Sequence, residues 1–144
     1  AQASEDRLVA DLRAGLDELE RREPDAKLAA VGFCFGGGMT WTLLAAGESR
    51  LAAAVPFYGP APAGADFSGS EAAVLAIYAE LDDRVNATRD AAVAALDAAG
   101  LTSEVRTFPG VDHAFFNDTG PRYDEAAATE AYDTVVAWFA THLS

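Results

Sequence analysis

Cysteine is almost missing from this chain: Cys34 is the single one among 144 residues. An internal disulfide is therefore excluded, and a lone thiol fits a reducing compartment, so a cytoplasmic location is expected. Histidine is nearly as scarce, with only His113 and His142. So few strong ligands argue against a zinc site, and no metal is expected. Basic residues are in short supply as well, 10 Lys and Arg against 23 Asp and Glu, for a net charge of −13. Phosphate backbones and anionic membrane surfaces need clustered Lys and Arg, so neither nucleic acid nor membrane is expected as a partner. No apolar run approaches the roughly 20 residues that a membrane-spanning helix requires. The chain begins at Ala1 with a helix-like segment; no secretory signal is expected within the given residues, and a leader removed before Ala1 stays open.

What remains suits one soluble α/β domain over residues 1–144. Ser4-Glu5-Asp6 reads as an N-cap followed by an acidic first turn. Leu8, Val9, Leu12, Leu16 and Leu19 then recur at helical spacing, and Pro24 ends the pattern. This amphipathic helix, roughly residues 5–22, must lie on an apolar surface. Leu28 to Phe33 is a short apolar run, as in strands buried on both faces. A helix follows to about Ala46. A second strand covers Leu51 to Tyr58, with Pro56 near its carboxyl end because a central strand uses its N–H groups. Gly59 to Gly64 is loop, and Ala72 to Tyr78 is a third strand. Asn86 is expected to cap a helix running to Ala99. Ser103 to Phe108 is a fourth strand, and Val111 to Arg122 a long loop. A final helix from about Tyr123 to His142 places Tyr132, Val135, Val136, Phe139 and Leu143 on one stripe. Alternating strands and helices predict a parallel sheet of about four strands with flanking helices. Ligands of such sheets bind beyond the carboxyl ends of the strands.

The chemistry gathers at those ends. Val31-Gly32-Phe33-Cys34-Phe35-Gly36 places the cysteine between two glycines at a strand-to-helix junction, the pattern of a nucleophile elbow. The loops after the third and fourth strands carry Asp82 with Asp83, and then His113. Nucleophile, acid, histidine is the chain order of α/β-hydrolases. A thiol attacks acyl carbon as thiolate, and the N-terminus of the following helix favours that anion. His113 can take the thiol proton and return it to the leaving group. An aspartate fixes the imidazole's tautomer and orientation. The backbone N–H of Phe35 can face a developing oxyanion. Tyr58, at the end of the second strand, either lines the pocket or packs in the core. Phe115, beside Phe116, either walls the substrate or anchors its loop. His142, in the last turn of the final helix, reads as structural.

Three stretches resemble the dienelactone hydrolase family: the elbow Gly32-Phe-Cys-Phe-Gly-Gly37, the acid segment Glu80-Leu-Asp82-Asp-Arg-Val85, and the histidine segment Gly110-Val-Asp-His-Ala-Phe-Phe-Asn117. Their order and spacing agree with the family over nearly the whole chain. The resemblance implies an α/β-hydrolase fold and hydrolysis of small esters or lactones through an acyl-thiol intermediate, without metal or organic cofactor. It also implies that Asp82, not Asp83, is the acid. Dienelactone hydrolase itself has a carboxylate-binding arginine four residues after its histidine, where this chain has Asn117. Family members are longer, with strands upstream that supply a second oxyanion amide and a glutamate partner for the cysteine. Neither has a counterpart here, so the chain resembles the C-terminal portion of the family. The first strand would then be an exposed apolar edge. It is expected to be buried in a homo-oligomer or against the missing N-terminal portion.

Two other readings compete with an enzyme. A catalytically incomplete fragment or interaction module would keep the triad residues without turnover. A redox sensor would need Cys34 to oxidise reversibly, with no resolving cysteine in the chain.

Overall fold

The computed structural model describes residues 4–144. Its elements run α1 (Glu5–Arg22), β1 (Leu28–Phe33), α2 (Phe35–Ala45), β2 (Leu51–Phe57), β3 (Ala73–Ala79), α3 (Asp83–Asn86), α4 (Arg89–Ala99), β4 (Ser103–Phe108) and α5 (Glu125–His142). The four strands form one sheet in the order β1-β2-β3-β4, parallel throughout.

The sheet separates two apolar clusters. In β3, Val74, Ala76 and Tyr78 point to one side, toward α2, α3 and α4 through Trp41, Leu44, Val85 and Leu96. Leu75, Ile77 and Ala79 point to the other, toward Ala131 and the half-buried Val135, Trp138 and Phe139 of α5. This two-residue alternation between two buried faces explains why the strand is apolar without interruption. The result is a three-layer α/β/α arrangement, with α5 alone among the long helices on its face.

Helix α1 begins at Ser4, whose hydroxyl accepts the N–H of Arg7, and packs on α2 and β1. Only Val9 and Leu16 of its apolar stripe are buried; Leu12 and Leu19 stay exposed. Ion pairs hold it instead. Arg13 bonds Glu48 at 3.2 Å, and Arg50 reaches Asp17, Glu20 and Glu48 at 2.7–2.9 Å.

Pro56 lies inside the central strand β2, paired with Gly32 on β1. Toward β3 the register runs through Ala53, Ala54 and Phe57, and skips Val55 and Pro56. A proline has no N–H to give, so the ladder is interrupted there and resumes where Tyr58 N donates to Ile77 O at 2.7 Å.

Three expectations need correction. Asn86 caps no helix: it ends the short α3, and Thr88 stands at the N-cap of α4. The final helix starts at Glu125, because the Asp124 carboxylate accepts the N–H of Ala127. Its buried stripe runs through Ala128 and Ala131, with Tyr132 and Val136 turned outward. Alanines let α5 sit close to the sheet, which a bulkier stripe would prevent.

The outer strand β1 is an edge, as expected. Val31 is 48% exposed and Phe33 40%.

Candidate active site

Cys34 occupies the junction between β1 and α2, at φ 54° and ψ −114°. A residue with a side chain rarely adopts positive φ, and such strain gathers at functional sites. The elbow is held from both sides: Cys34 N donates to Phe57 O, and Cys34 O accepts from Gly38 N, each at 3.1 Å. Sterics also explain the glycines, though not as the sequence frame suggests. A Cβ on Gly32 would lie 2.0 Å from Gly36 O, and one on Gly37 would lie 2.3 Å from Phe57 O. Gly36 itself has open space around it. The tight crossing therefore needs Gly32 and Gly37, where β1, α2 and the end of β2 meet backbone to backbone.

Asp82 follows β3 in a turn whose 3.2 Å hydrogen bond runs from Asp82 N to Ala79 O. One carboxylate oxygen accepts Val85 N at 3.2 Å. The other lies 2.5 Å from His113 Nδ1. Asp82 is buried, whereas Asp83 is exposed at the first position of α3. His113 follows β4 in a loop where its own N–H bonds Asp112 Oδ1 at 2.6 Å. Ala114, next in the chain, has φ 69°. With Tyr58 at φ 32°, the three non-glycine residues of positive φ among those described are Cys34, Tyr58 and Ala114. All three stand at the carboxyl edge of the sheet.

For Tyr58 and Phe115 the packing bears on which of the two readings applies. Phe115 is fully buried, between Phe108 at 5.1 Å and Tyr58 at 5.6 Å between ring centroids, the packing of a loop anchor. Tyr58 is buried too, with its ring 5.1 Å from that of His113, and it supports the imidazole from below. Phe116, half buried, is the ring beside the elbow: it stacks on Phe33 at 5.4 Å. Two adjacent phenylalanines in a loop point opposite ways, and only their packing tells which faces outward.

Phe35 opens α2 with its side chain 66% exposed. As the first helical residue, it has a backbone N–H with no intrahelical acceptor. Among the described residues no hydrogen bond joins Cys34 Sγ to His113. The thiol pKa is pushed up chiefly by burial and next by the charge of Asp82, while Arg122 and Arg84 pull it down. A thiol raised in this way supplies less thiolate, so a base that takes its proton favours attack. Arg122 reaches Asp112 at 3.7 Å, which brings that guanidinium to the histidine loop.

A cavity of about 400 Å³ opens on the other side of the elbow, lined by Leu8, Leu12, Val31, Phe35 and Met39. None of Cys34, Asp82 and His113 lines it. No cluster of His, Cys, Asp and Glu suited to a metal occurs among the described residues.

Comparison with known proteins places the chain in a family. The sequence model of the Dienelactone hydrolase family matches residues 1–143. A Salmonella typhi protein named "Putative carboxymethylenebutenolidase" is 30% identical over 99% of this chain and 57% of its own length. One of the same name from Saccharolobus solfataricus is 34% identical over 76% of this chain and 42% of its own length. Among solved structures, "Putative Dienelactone Hydrolase" of Klebsiella pneumoniae superposes with a TM-score of 0.80 at 31% identity, covering 94% of this chain and 61% of that one. The chain thus spans about half the length of the curated relatives it matches.

Proposed function

Because this chain belongs to the dienelactone hydrolase family, we propose that it hydrolyses small esters or lactones with Cys34 as nucleophile, His113 as base and Asp82 as the acid that orients it. The observation that carries this reading is the Asp82–His113 pair at the sheet edge from which Cys34 also projects. With Nδ1 directed at Asp82, the Nε2 atom of a neutral imidazole is free to accept a proton. It takes the thiol proton as Sγ bonds to the acyl carbon. The tetrahedral oxyanion is met by the N–H of Phe35. His113 then protonates the departing alkoxide, leaving an acyl-thiol. Water, deprotonated by the same imidazole, attacks that acyl carbon and frees the thiol. The names of the relatives favour a lactone as substrate.

The reaction is tested by hydrolysis of p-nitrophenyl acetate and of an unsaturated five-membered lactone. The wild-type chain is expected to release product, and Cys34→Ala to abolish the release. Equal rates in both would sink the nucleophile assignment. A second reading draws on the short span relative to the relatives and on the missing thiol–imidazole bond: a chain that keeps the triad without turnover. It predicts a thiol that alkylates while both esters survive.

A further inference from the structure

Asn86 ends the four-residue α3, and its side-chain Nδ2 donates to two carbonyls, Ala79 O at 2.8 Å and Glu80 O at 3.1 Å. Both belong to the turn that leaves β3 and carries Asp82. The backbone N–H of Asn86 donates to the carbonyl of Asp82 at 2.9 Å. Three carbonyls of one short turn are thus bound by a single residue. Its remaining side-chain polar atom, Oδ1, is buried with no partner among the described residues. A buried acceptor left unpaired costs stability, so the amide stands here despite that atom. A leucine has the same branched outline, though bulkier, and carries no orphan acceptor. What the fold gains from Asn86 is the pair of donors.

On its other flank the turn is tied to the histidine loop. Glu80 N and Leu81 N donate to Phe108 O and Val111 O, each at 3.0 Å. The Glu80 carboxylate accepts Gly110 N at 2.7 Å. The acid turn is therefore fastened to the histidine loop by one set of bonds and to its own short helix by Asn86.

We infer that Asn86 is a positioning residue for the acid: by clamping the carbonyls of Ala79 and Glu80, its amide sets the turn that presents Asp82 to His113. A displacement near 1 Å would lengthen the 2.5 Å contact beyond a charge-assisted hydrogen bond. Misplacement of that size costs up to about a hundredfold in rate. Only the kinetic part of this inference rests on the hydrolase reading.

The test is Asn86→Leu, read in two ways. A short Nδ1–H···carboxylate bond gives a proton resonance far downfield, and with two histidines in the chain, His113→Gln assigns it. In Asn86→Leu this resonance is expected to move upfield or vanish. The kcat for p-nitrophenyl acetate is expected to fall about tenfold or more, with KM within about twofold of wild type. Asn86→Gln, which keeps the donors, is expected to recover part of both. An unchanged resonance and kcat in Asn86→Leu would overturn the inference, as would the absence of a downfield proton from the wild type. Should Asn86→Leu fail to fold, Asn86→Ser removes the same donors and is read the same way. Should the wild type hydrolyse no ester, the hydrolase reading fails, and the resonance alone decides the role of Asn86.

Discussion

Asp82 divides its carboxylate between two tasks: Oδ1 accepts the N–H of Val85 at 3.2 Å, and Oδ2 meets His113 Nδ1 at 2.5 Å. The first bond fixes the carboxylate's rotation, and the second uses the oxygen left over. Asp83, one residue on, has neither partner and faces solvent.

That asymmetry makes the paired aspartates a clean comparison. Asp82→Asn is expected to lower kcat for p-nitrophenyl acetate by about three to four orders of magnitude, because an amide leaves the imidazole tautomer uncontrolled. Asp83→Asn is expected to stay within about twofold. Stopped-assay rates of the two variants at pH 7 check this. Equal losses would remove Asp82 from its assigned place.

The thiol answers to the same carboxylate with the opposite sign. Burial and then Asp82 raise the Cys34 pKa above the ordinary 9.0, and Arg122 and Arg84 lower it. A raised pKa means less thiolate at neutral pH than in free cysteine. Iodoacetamide is therefore expected to label Cys34 slowly at pH 7 and progressively faster above pH 9. Asp82→Asn should hasten labelling at a given pH while slowing hydrolysis, and Arg122→Gln should retard labelling. Mass spectrometry of the alkylated chain against time reads all three.

Glu48 tests what holds α1. Its side chain is buried, and bonds from Arg50, with help from Arg13, depress its carboxyl to about 2 from the usual 4.5. A folded-state pKa below the unfolded one contributes stability that is complete above the unfolded value. That contribution is lost as pH falls from about 4.5 toward 2. Glu48→Gln is expected to destabilise the fold by about 1 kcal/mol at pH 7, since the buried side chain loses the charge that its partly exposed guanidinium partners bind. The difference should shrink between pH 4 and pH 2. Urea unfolding of both proteins across that range checks it.

The elbow glycines separate into those that sterics require and one that they do not. Gly36→Ala is expected to fold and to change stability by less than about 1 kcal/mol, with helix propensity acting in its favour. Gly32→Ala and Gly37→Ala place Cβ atoms 2.0 and 2.3 Å from carbonyl oxygens. Each is expected to cost at least about 2 kcal/mol or to prevent folding, because backbone cannot give way as a side chain can. Thermal melts of the three variants suffice.

The sheet was legible in the sequence because its strands are short apolar runs between turn residues, and β1, β2, β3 and β4 fall within a residue of where those runs lie. The order of Cys34, Asp82 and His113 was legible because a parallel sheet delivers every following loop to one edge. What escaped depends on long-range geometry. Gly36 and Gly37 are indistinguishable as letters, and only the path of Phe57 and Gly59 past α2 makes one of them necessary. In α5, alanines outnumber the larger apolar residues, so periodicity supports more than one stripe; the close approach to β2 and β3 selects the one through Ala128 and Ala131. Asn86 carries the composition of a helix cap, and its true partners, the carbonyls of Ala79 and Glu80, are seen only once β3 ends beside α3. Whether Phe115 or Phe116 faces the core was illegible for the same reason: adjacent residues of an irregular loop have no fixed facing.

The exposed edge at β1 sets a colloidal condition on the chain. Val31 and Phe33 offer an apolar, unpaired ribbon, and a net charge of −13 keeps copies of it apart. Those two influences respond to solution conditions differently. Added salt shortens the reach of the repulsion to about 10 Å at 0.1 M and leaves the apolar ribbon as sticky as before. Acid, approaching the isoelectric point near 4.3, removes the repulsion altogether. Light scattering is therefore expected to find copies of this chain apart in dilute, low-salt, mildly alkaline buffer and drawn together along β1 as salt or acid is added.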